Sequence, residues 1–183
     1  MTEEAYLAAE RTAPLYHEYL AGEIYPLAPA SPVQALIAAN VRALLTAQTY
    51  GRLATVTTDN TRLYAPAGPL FTYPDAALVA GPVQLRPDGH HDTLLNPALL
   101  VKVLPHALPA HFQQVFELYY SIPTVEHVLL VTDYAARVSL GTRQPNGLLS
   151  VYGFTGLDAV IDLPDLELVL PLAAIYRQVP LQA

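Results

Sequence analysis

The stretch Ala98-Leu-Leu-Val-Lys-Val-Leu104 sets six apolar residues around one charge, Lys102. A run this short and this apolar reads as a strand buried on both faces. Lys102 is the only lysine in the chain, against eight arginines. An ammonium in such a run is costly unless it meets an anion or reaches water. In one reading Lys102 sits on an edge strand and snorkels its head to solvent. In the other it points into a site and meets carboxylates. The candidates are Asp75, in Tyr73-Pro-Asp75, and Glu23, in Gly22-Glu-Ile-Tyr25.

Upstream of this strand, residues 2–20 read as a short helix or irregular arm split by Pro14, with Gly22 closing it. A short strand follows from Glu23. Ser31-Pro32 reads as N-cap and first helical residue. Val33, Leu36, Ile37, Val41, Leu44 and Leu45 then recur at helical spacing, so a long helix is expected over 31–50. Leu53–Val56 and Leu63–Tyr64 read as strands joined in a hairpin by Thr58-Asp59-Asn60. Another strand runs from Pro74 to Ala80. Downstream, 110–121 reads as a helix, and Glu126–Asp133, Arg137–Thr142 and Leu148–Phe154 read as strands, the last two joined at Pro145-Asn-Gly147. Short strand pieces and a final helical turn close the chain. This order implies an α/β or α+β sheet flanked by helices rather than a sandwich or a bundle.

At 183 residues, 52% hydrophobic and 14% charged, the chain reads as a single domain, 1–183, with ample core. Its net charge of −7 and scattered arginines argue against DNA as a partner, because phosphate binding needs clustered Lys and Arg. Cysteine is absent, which excludes disulfides and thiolate chemistry. The acidic start, Met1-Thr-Glu-Glu, lacks the basic and apolar regions of a secretory signal. No apolar run reaches the roughly 18 residues that span a bilayer. A cytoplasmic protein with no membrane association is the expectation.

Other constellations read blandly. His90-His91-Asp92 resembles a metal trio, but adjacent strand histidines face opposite ways and Pro87-Asp-Gly89 marks an exposed loop. Asp158, Asp162, Asp165 and Glu167 read as a solvated rim. Twelve tyrosines without interleaved basic residues suit a core or a dimer interface better than a nucleic-acid platform.

Several pieces, in order, carry a resemblance: Tyr19-Leu-Ala-Gly-Glu23, Ala30-Ser-Pro32, Leu70-Phe-Thr-Tyr-Pro-Asp75, Asp92-Thr-Leu-Leu-Asn-Pro97 and Leu100-Val-Lys-Val-Leu104. They continue with Tyr120-Ser-Ile-Pro123, Val128-Leu-Leu-Val131, Phe154-Thr-Gly-Leu-Asp158 and Leu170-Pro-Leu-Ala-Ala-Ile-Tyr176. Over about residues 15–178 the chain resembles the Uma-two-type family of bacterial endonucleases, which have the PD-(D/E)xK restriction-endonuclease-like fold. The resemblance implies a mixed central sheet flanked by helices, with an added antiparallel C-terminal hairpin region. It also implies Mg²⁺- or Mn²⁺-assisted hydrolysis of a phosphodiester, with carboxylates holding the cation and a lysine near the developing charge.

Residue by residue, Glu23 and Asp75 match the family's carboxylate positions and would be the metal ligands of an active site. The acid of the family strand written V-E-V-L is Lys102 here. The family's lysine in the next helix falls at Phe116, an acid one turn earlier at Phe112, and a histidine after Ser-Pro at Gln34. Glu117 is the one carboxylate on that helix that could enter as a substitute. Glu23, Asp75 and Lys102 are therefore expected to form a remodelled, inactive site without a resident cofactor. The chain would act as an interaction or structural protein, as a homodimer or with another protein partner. The alternative is an active Mg-dependent DNA endonuclease with an atypical site.

Overall fold

The computed structural model describes residues 1–181. Helix α1 (Glu3–Glu10) is capped by the Thr2 hydroxyl. It leads into strands β1 (His17–Leu20) and β2 (Glu23–Pro26). Residues 17–20, read above as part of a helical or irregular arm, thus form a strand. The reason lies in the turn: Ala21 and Gly22 have φ of 48° and 100°, the two-residue geometry that closes a twisted hairpin. Gly22 is a hairpin residue and not a helix stop.

Helix α2 (Pro32–Thr49) starts with a capping box in which Ser31 and Gln34 each bond the other's backbone N–H. Its apolar stripe, Ile37, Ala38, Val41 and Leu45, is buried. Then come β3 (Ala54–Val56), β4 (Arg62–Ala65), β5 (Leu70–Thr72), β6 (Ala76–Ala80), β7 (Thr93–Leu94) and β8 (Leu99–Leu104). Helix α3 (Phe112–Tyr119) precedes β9 (His127–Thr132), β10 (Arg137–Arg143) and β11 (Leu149–Thr155). The hairpin β12 (Val160–Leu163) and β13 (Leu168–Pro171) and the short α4 (Leu172–Ile175) end the fold.

The strands make a six-stranded sheet ordered β11-β10-β9-β8-β6-β3 and a five-stranded sheet ordered β2-β1-β5-β4-β7, with β12-β13 as a separate pair. In the six-stranded sheet only β8 and β9 run parallel. The architecture is mixed α/β, with helices flanking the sheets and an antiparallel hairpin at the C-terminal end. A second sequence expectation also fails. Strands β3 and β4 do not form a hairpin: β3 pairs with β6, whereas β4 pairs with β5 and β7 in the other sheet. The Asp59-Asn60 loop hands the chain from one sheet to the next.

Strand β8 is central and faces two cores, as its apolar run implies. Leu99, Val101 and Val103 join α2 on one face, while Leu100 joins α3 and the five-stranded sheet on the other. Lys102 shares the face of Leu100 by the period of two. The buried His127 ties the C-terminal hairpin to the six-stranded sheet, its Nε2 2.7 Å from Asp165 and its Nδ1 3.1 Å from the Thr142 hydroxyl.

Candidate active site

Antiparallel register brings Lys102 and Asp75 together. Ala76 pairs with Val101, so one further step sets Asp75 opposite Lys102, on the same face. The Lys102 ammonium lies 3.7 Å from Asp75 Oδ2 and donates to the Tyr73 carbonyl at 3.0 Å. Asp75 Oδ2 accepts the Val103 N–H at 2.7 Å. The Lys102 and Asp75 side chains are 22% and 16% exposed, so the ammonium turns inward rather than out to bulk solvent. At 3.7 Å the contact is Coulombic and not a hydrogen bond.

The second carboxylate of the site is Glu18, not Glu23. Glu18 stands on β1 one step beyond the Tyr19–Phe71 pair, hence opposite Thr72 of β5. Its Oε1 accepts the Thr72 hydroxyl, and its Oε2 lies 3.0 Å from His111 Nε2. Glu23 sits at the far end of the edge strand β2, paired with Leu20, and is exposed. Its carboxylate accepts the Tyr25 hydroxyl. The Tyr25 ring in turn stacks on His111 with centroids 4.0 Å apart. Glu23 therefore reaches the site only through two intermediaries.

Asp75, Lys102, Glu18 and His111 all line a cavity of about 200 Å³ under α3. A shallower groove of about 380 Å³ adjoins it and shares Asp75 and Lys102. The helix offers Phe112, Val115 and Tyr119 to the cavity, the i, i+3, i+7 face. Phe116 points instead into the second core, edge-on to Tyr120. So both the residue matching the family's helix lysine and the residue that faces the cavity in its place are apolar. Glu117 is exposed, accepts from Gln113 and lines a different hollow, so it does not substitute. Gln34 lines the cavity with its carbonyl engaged in the α2 cap.

Tyr119 is fully buried and its hydroxyl has no hydrogen-bond partner. Burial, reinforced by the nearby Glu18 and Asp75 charges, raises its pKa well above the usual phenol value, although the neighbouring Thr72 hydroxyl opposes the shift. Tyr119 is therefore a neutral donor. Sequence reading missed Glu18, His111 and Tyr119. β1 buries Glu18, Tyr19 and Leu20 alike, so no alternation marks Glu18 in the sequence.

A second polar cluster lies beneath α1. The guanidinium of Arg62, only 4% exposed, is 2.6 Å from Asp92 Oδ2. That contact lies off the hydrogen-bond direction, while Nε donates squarely to Thr93 at 3.0 Å. Arg11 donates to Asp92 at 2.8 Å and to Asp88 at 2.8 Å. Tyr73 donates to Glu10 at 3.0 Å, and Glu10 also holds His17. Burial would raise the Asp92 pKa, but Arg11 and Arg62 outweigh it and hold the carboxyl well below the usual range. His90 and His91 are exposed, and His90 touches this network only through its backbone N–H, which donates to Asp88 Oδ1 at 3.1 Å. Asp92 is thus a structural ion-pair partner rather than part of a solvated loop.

The sequence profile of the Uma2 family, described as "Putative restriction endonuclease", matches residues 3–173. The chain belongs to the Uma2 family. A Synechocystis relative, named "Uncharacterized protein sll1609", is 28% identical over 149 residues, covering 79% of this chain and 84% of that one. A crystal structure of a putative nuclease from Anabaena variabilis superposes with a TM-score of 0.77 at 14% identity, covering 96% of this chain and 97% of that one. At that identity the likeness establishes the fold.

The divalent cation implied by the Uma2 resemblance needs several oxygen ligands converging on one point. Among the described residues, no three His, Asp or Glu side chains are gathered in that way. Both Glu18 oxygens are already engaged, and an ammonium stands beside Asp75. The donor set does not fit a divalent cation. In addition, no helix of the described residues is long and apolar enough to cross a membrane.

Proposed function

We propose that this chain is a non-catalytic member of the Uma2 family that works by binding, in the cytoplasm, as a homodimer. One observation carries the reading: the family's third acid is Lys102, whose ammonium lies 3.7 Å from Asp75. Replacing glutamate by lysine changes the local charge by +2, the charge a divalent cation would bring. A built-in ammonium supplies part of the metal's electrostatics and none of its Lewis acidity. The helix carries no lysine to steady the phosphorane-like charge. Losses of such groups cost about 10² in rate each.

For the dimer, support comes from β11. It is one of the two edges of the six-stranded sheet, the other being β3, and Leu149–Thr155 contains no charged residue and no proline. Leu149, Val151 and Tyr152 are 44%, 64% and 49% exposed, an edge without the usual protection against pairing. A second copy can add antiparallel to it about a two-fold axis. At −7 per chain, an uncharged strand is where two copies repel least.

Purified protein with plasmid DNA and Mg²⁺ or Mn²⁺ at neutral pH is expected to leave the DNA intact. Chelator-sensitive nicking that disappears in Asp75→Ala would establish the rival, an active endonuclease that uses Glu18 and Asp75. Light scattering at micromolar concentration should give twice the chain mass, and Val151→Lys should give one.

A further inference from the structure

We infer that the cavity under α3 takes an uncharged carboxamide carried on a small apolar body. This rests on the non-catalytic reading of the same site and names its ligand class. At about 200 Å³ the cavity suits a fragment of one ring and a short substituent, below the roughly 300–1,000 Å³ of drug-sized sites. Its walls are Leu27, Pro29, Val103, Leu108, Phe112 and Val115. Its polar lining residues are Glu18, Gln34, Asp75, Lys102, His111 and Tyr119, and they are incompletely used.

Tyr119 is 1% exposed, and its hydroxyl makes no well-directed hydrogen bond, the neighbouring Thr72 hydroxyl being given to Glu18. Buried hydroxyls are nearly always paired, so an orphan lining a cavity marks a place where an acceptor is expected. Lys102 has three hydrogens, one given to Tyr73 and one toward Asp75, which leaves the third to join the Tyr119 hydroxyl as a donor. On the acceptor side, Asp75 Oδ2 takes the Val103 N–H, and Oδ1 remains. Glu18 is engaged by Thr72 and His111.

The ligand must therefore offer an acceptor to Tyr119 and Lys102 and a donor to Asp75. It must also avoid placing a net charge near two carboxylates, an ammonium and an imidazole. A carboxamide does all of this through its C=O and N–H edges. A carboxylate has no donor and meets Glu18 and Asp75. An ammonium has no acceptor for Tyr119 and competes with Lys102.

Benzamide, benzoate and benzylamine present the same ring with the three head groups, and each can be titrated into ¹⁵N-labelled full-length protein at pH 7. Benzamide is expected to shift amides of 102–104 and 111–119. It should bind about tenfold more tightly than either charged analogue, the worth of one well-made hydrogen bond. Equal binding of the three, or none, overturns the proposal. Tyr119→Phe is expected to raise the thermal midpoint of the unliganded protein and weaken benzamide about tenfold. A raised midpoint with unchanged benzamide affinity also overturns it. Mn²⁺ alone separates this proposal from the reading beneath it. Mn²⁺ binding with plasmid nicking sinks the non-catalytic reading. Failure of benzamide in protein that neither binds Mn²⁺ nor nicks sinks the ligand alone.

Discussion

The two polar clusters of this molecule meet at Tyr73 and are built differently. Beneath α1, the Tyr73 hydroxyl serves Glu10, and Asp92 is gripped by two arginines at 2.6 and 2.8 Å. On the other side, the Tyr73 carbonyl holds Lys102, whose nearest carboxylate oxygen is 3.7 Å away. Arg11 gives three hydrogen bonds to Asp88 and Asp92 through its planar fork, and Arg62 Nη2, although without a directed hydrogen bond, is held against Asp92 as a buried ion pair, so the first cluster has little capacity left. The second has an unpartnered hydroxyl, a loosely paired ammonium and apolar walls. A filled network locks an element in place, and an unfilled one can take a ligand.

The largest expected effect breaks the filled cluster. Asp92→Asn leaves the Arg62 guanidinium buried without its anion. Urea unfolding should show a loss of about 3 kcal/mol, the low end for a broken buried pair because Asp92 is one-third exposed. Asp75→Asn should cost about 1 kcal/mol, since Lys102 keeps its backbone acceptor. A larger loss at Asp75 than at Asp92 would reverse the comparison.

Acid probes the same contrast without mutation. Burial would raise the pKa of Asp92 and of Asp88. In Asp92 the two arginines, and in Asp88 the His90 N–H and Arg11, reverse the sign, so both carboxyls are held low. A carboxyl depressed in the folded state contributes stability above its unfolded pKa of about 3.9 and loses it as pH falls toward the folded value. Stability should therefore drop from about pH 5 downward, and the drop should be shallower in Asp92→Asn. Parallel acid curves for the two proteins would show that Asp92 is not held low.

Much of the fold was legible where local signals agree. The apolar run at β8 and the Ser31-Pro32 cap with its helical stripe carry their own geometry. Pairing across the sheets was not legible, because β3 and β4 look like a hairpin until their true partners, β6 and β5, are known. At the site, Asp75 and Lys102 were within reach, since one heads and the other interrupts two apolar runs that pair. Glu18 was hidden by the β1–β2 turn. Read as the end of a helical arm, residues 17–20 show no alternation, and the conspicuous acid after Gly22 drew the assignment instead.

A smaller effect sharpens the cavity side. Lys102→Glu removes the ammonium and adds a carboxylate opposite Asp75, near Glu18. Mn²⁺ affinity by calorimetry should rise at least about tenfold, or ~1.4 kcal/mol. Plasmid should remain intact, because the helix face still presents Phe112, Val115 and Tyr119 to the cavity. Unchanged Mn²⁺ affinity would show that Lys102 does not stand where a cation would bind.

The smallest effect is expected at Glu23, the acid that the family pattern favours. In the β1–β2 ladder Glu23 faces Leu20 and Tyr25 faces Glu18, so Glu23 and Glu18 lie two pairs apart on one face. That separation is enough to leave Glu23 in solvent while Glu18 is 5% exposed. Its one hydrogen bond comes from Tyr25, an exposed contact that water can replace. Glu23→Gln keeps an acceptor for that hydroxyl. Stability should change by no more than about 0.5 kcal/mol, the ordinary range for a surface substitution. Mn²⁺ binding in the Lys102→Glu background should also be unchanged, whereas Glu18→Gln in that background should weaken it. If Glu23→Gln weakened Mn²⁺ and Glu18→Gln did not, the second carboxylate of the site would be Glu23, as the family pattern has it, and the edge of β2 would have to fold over the cavity when the cation binds.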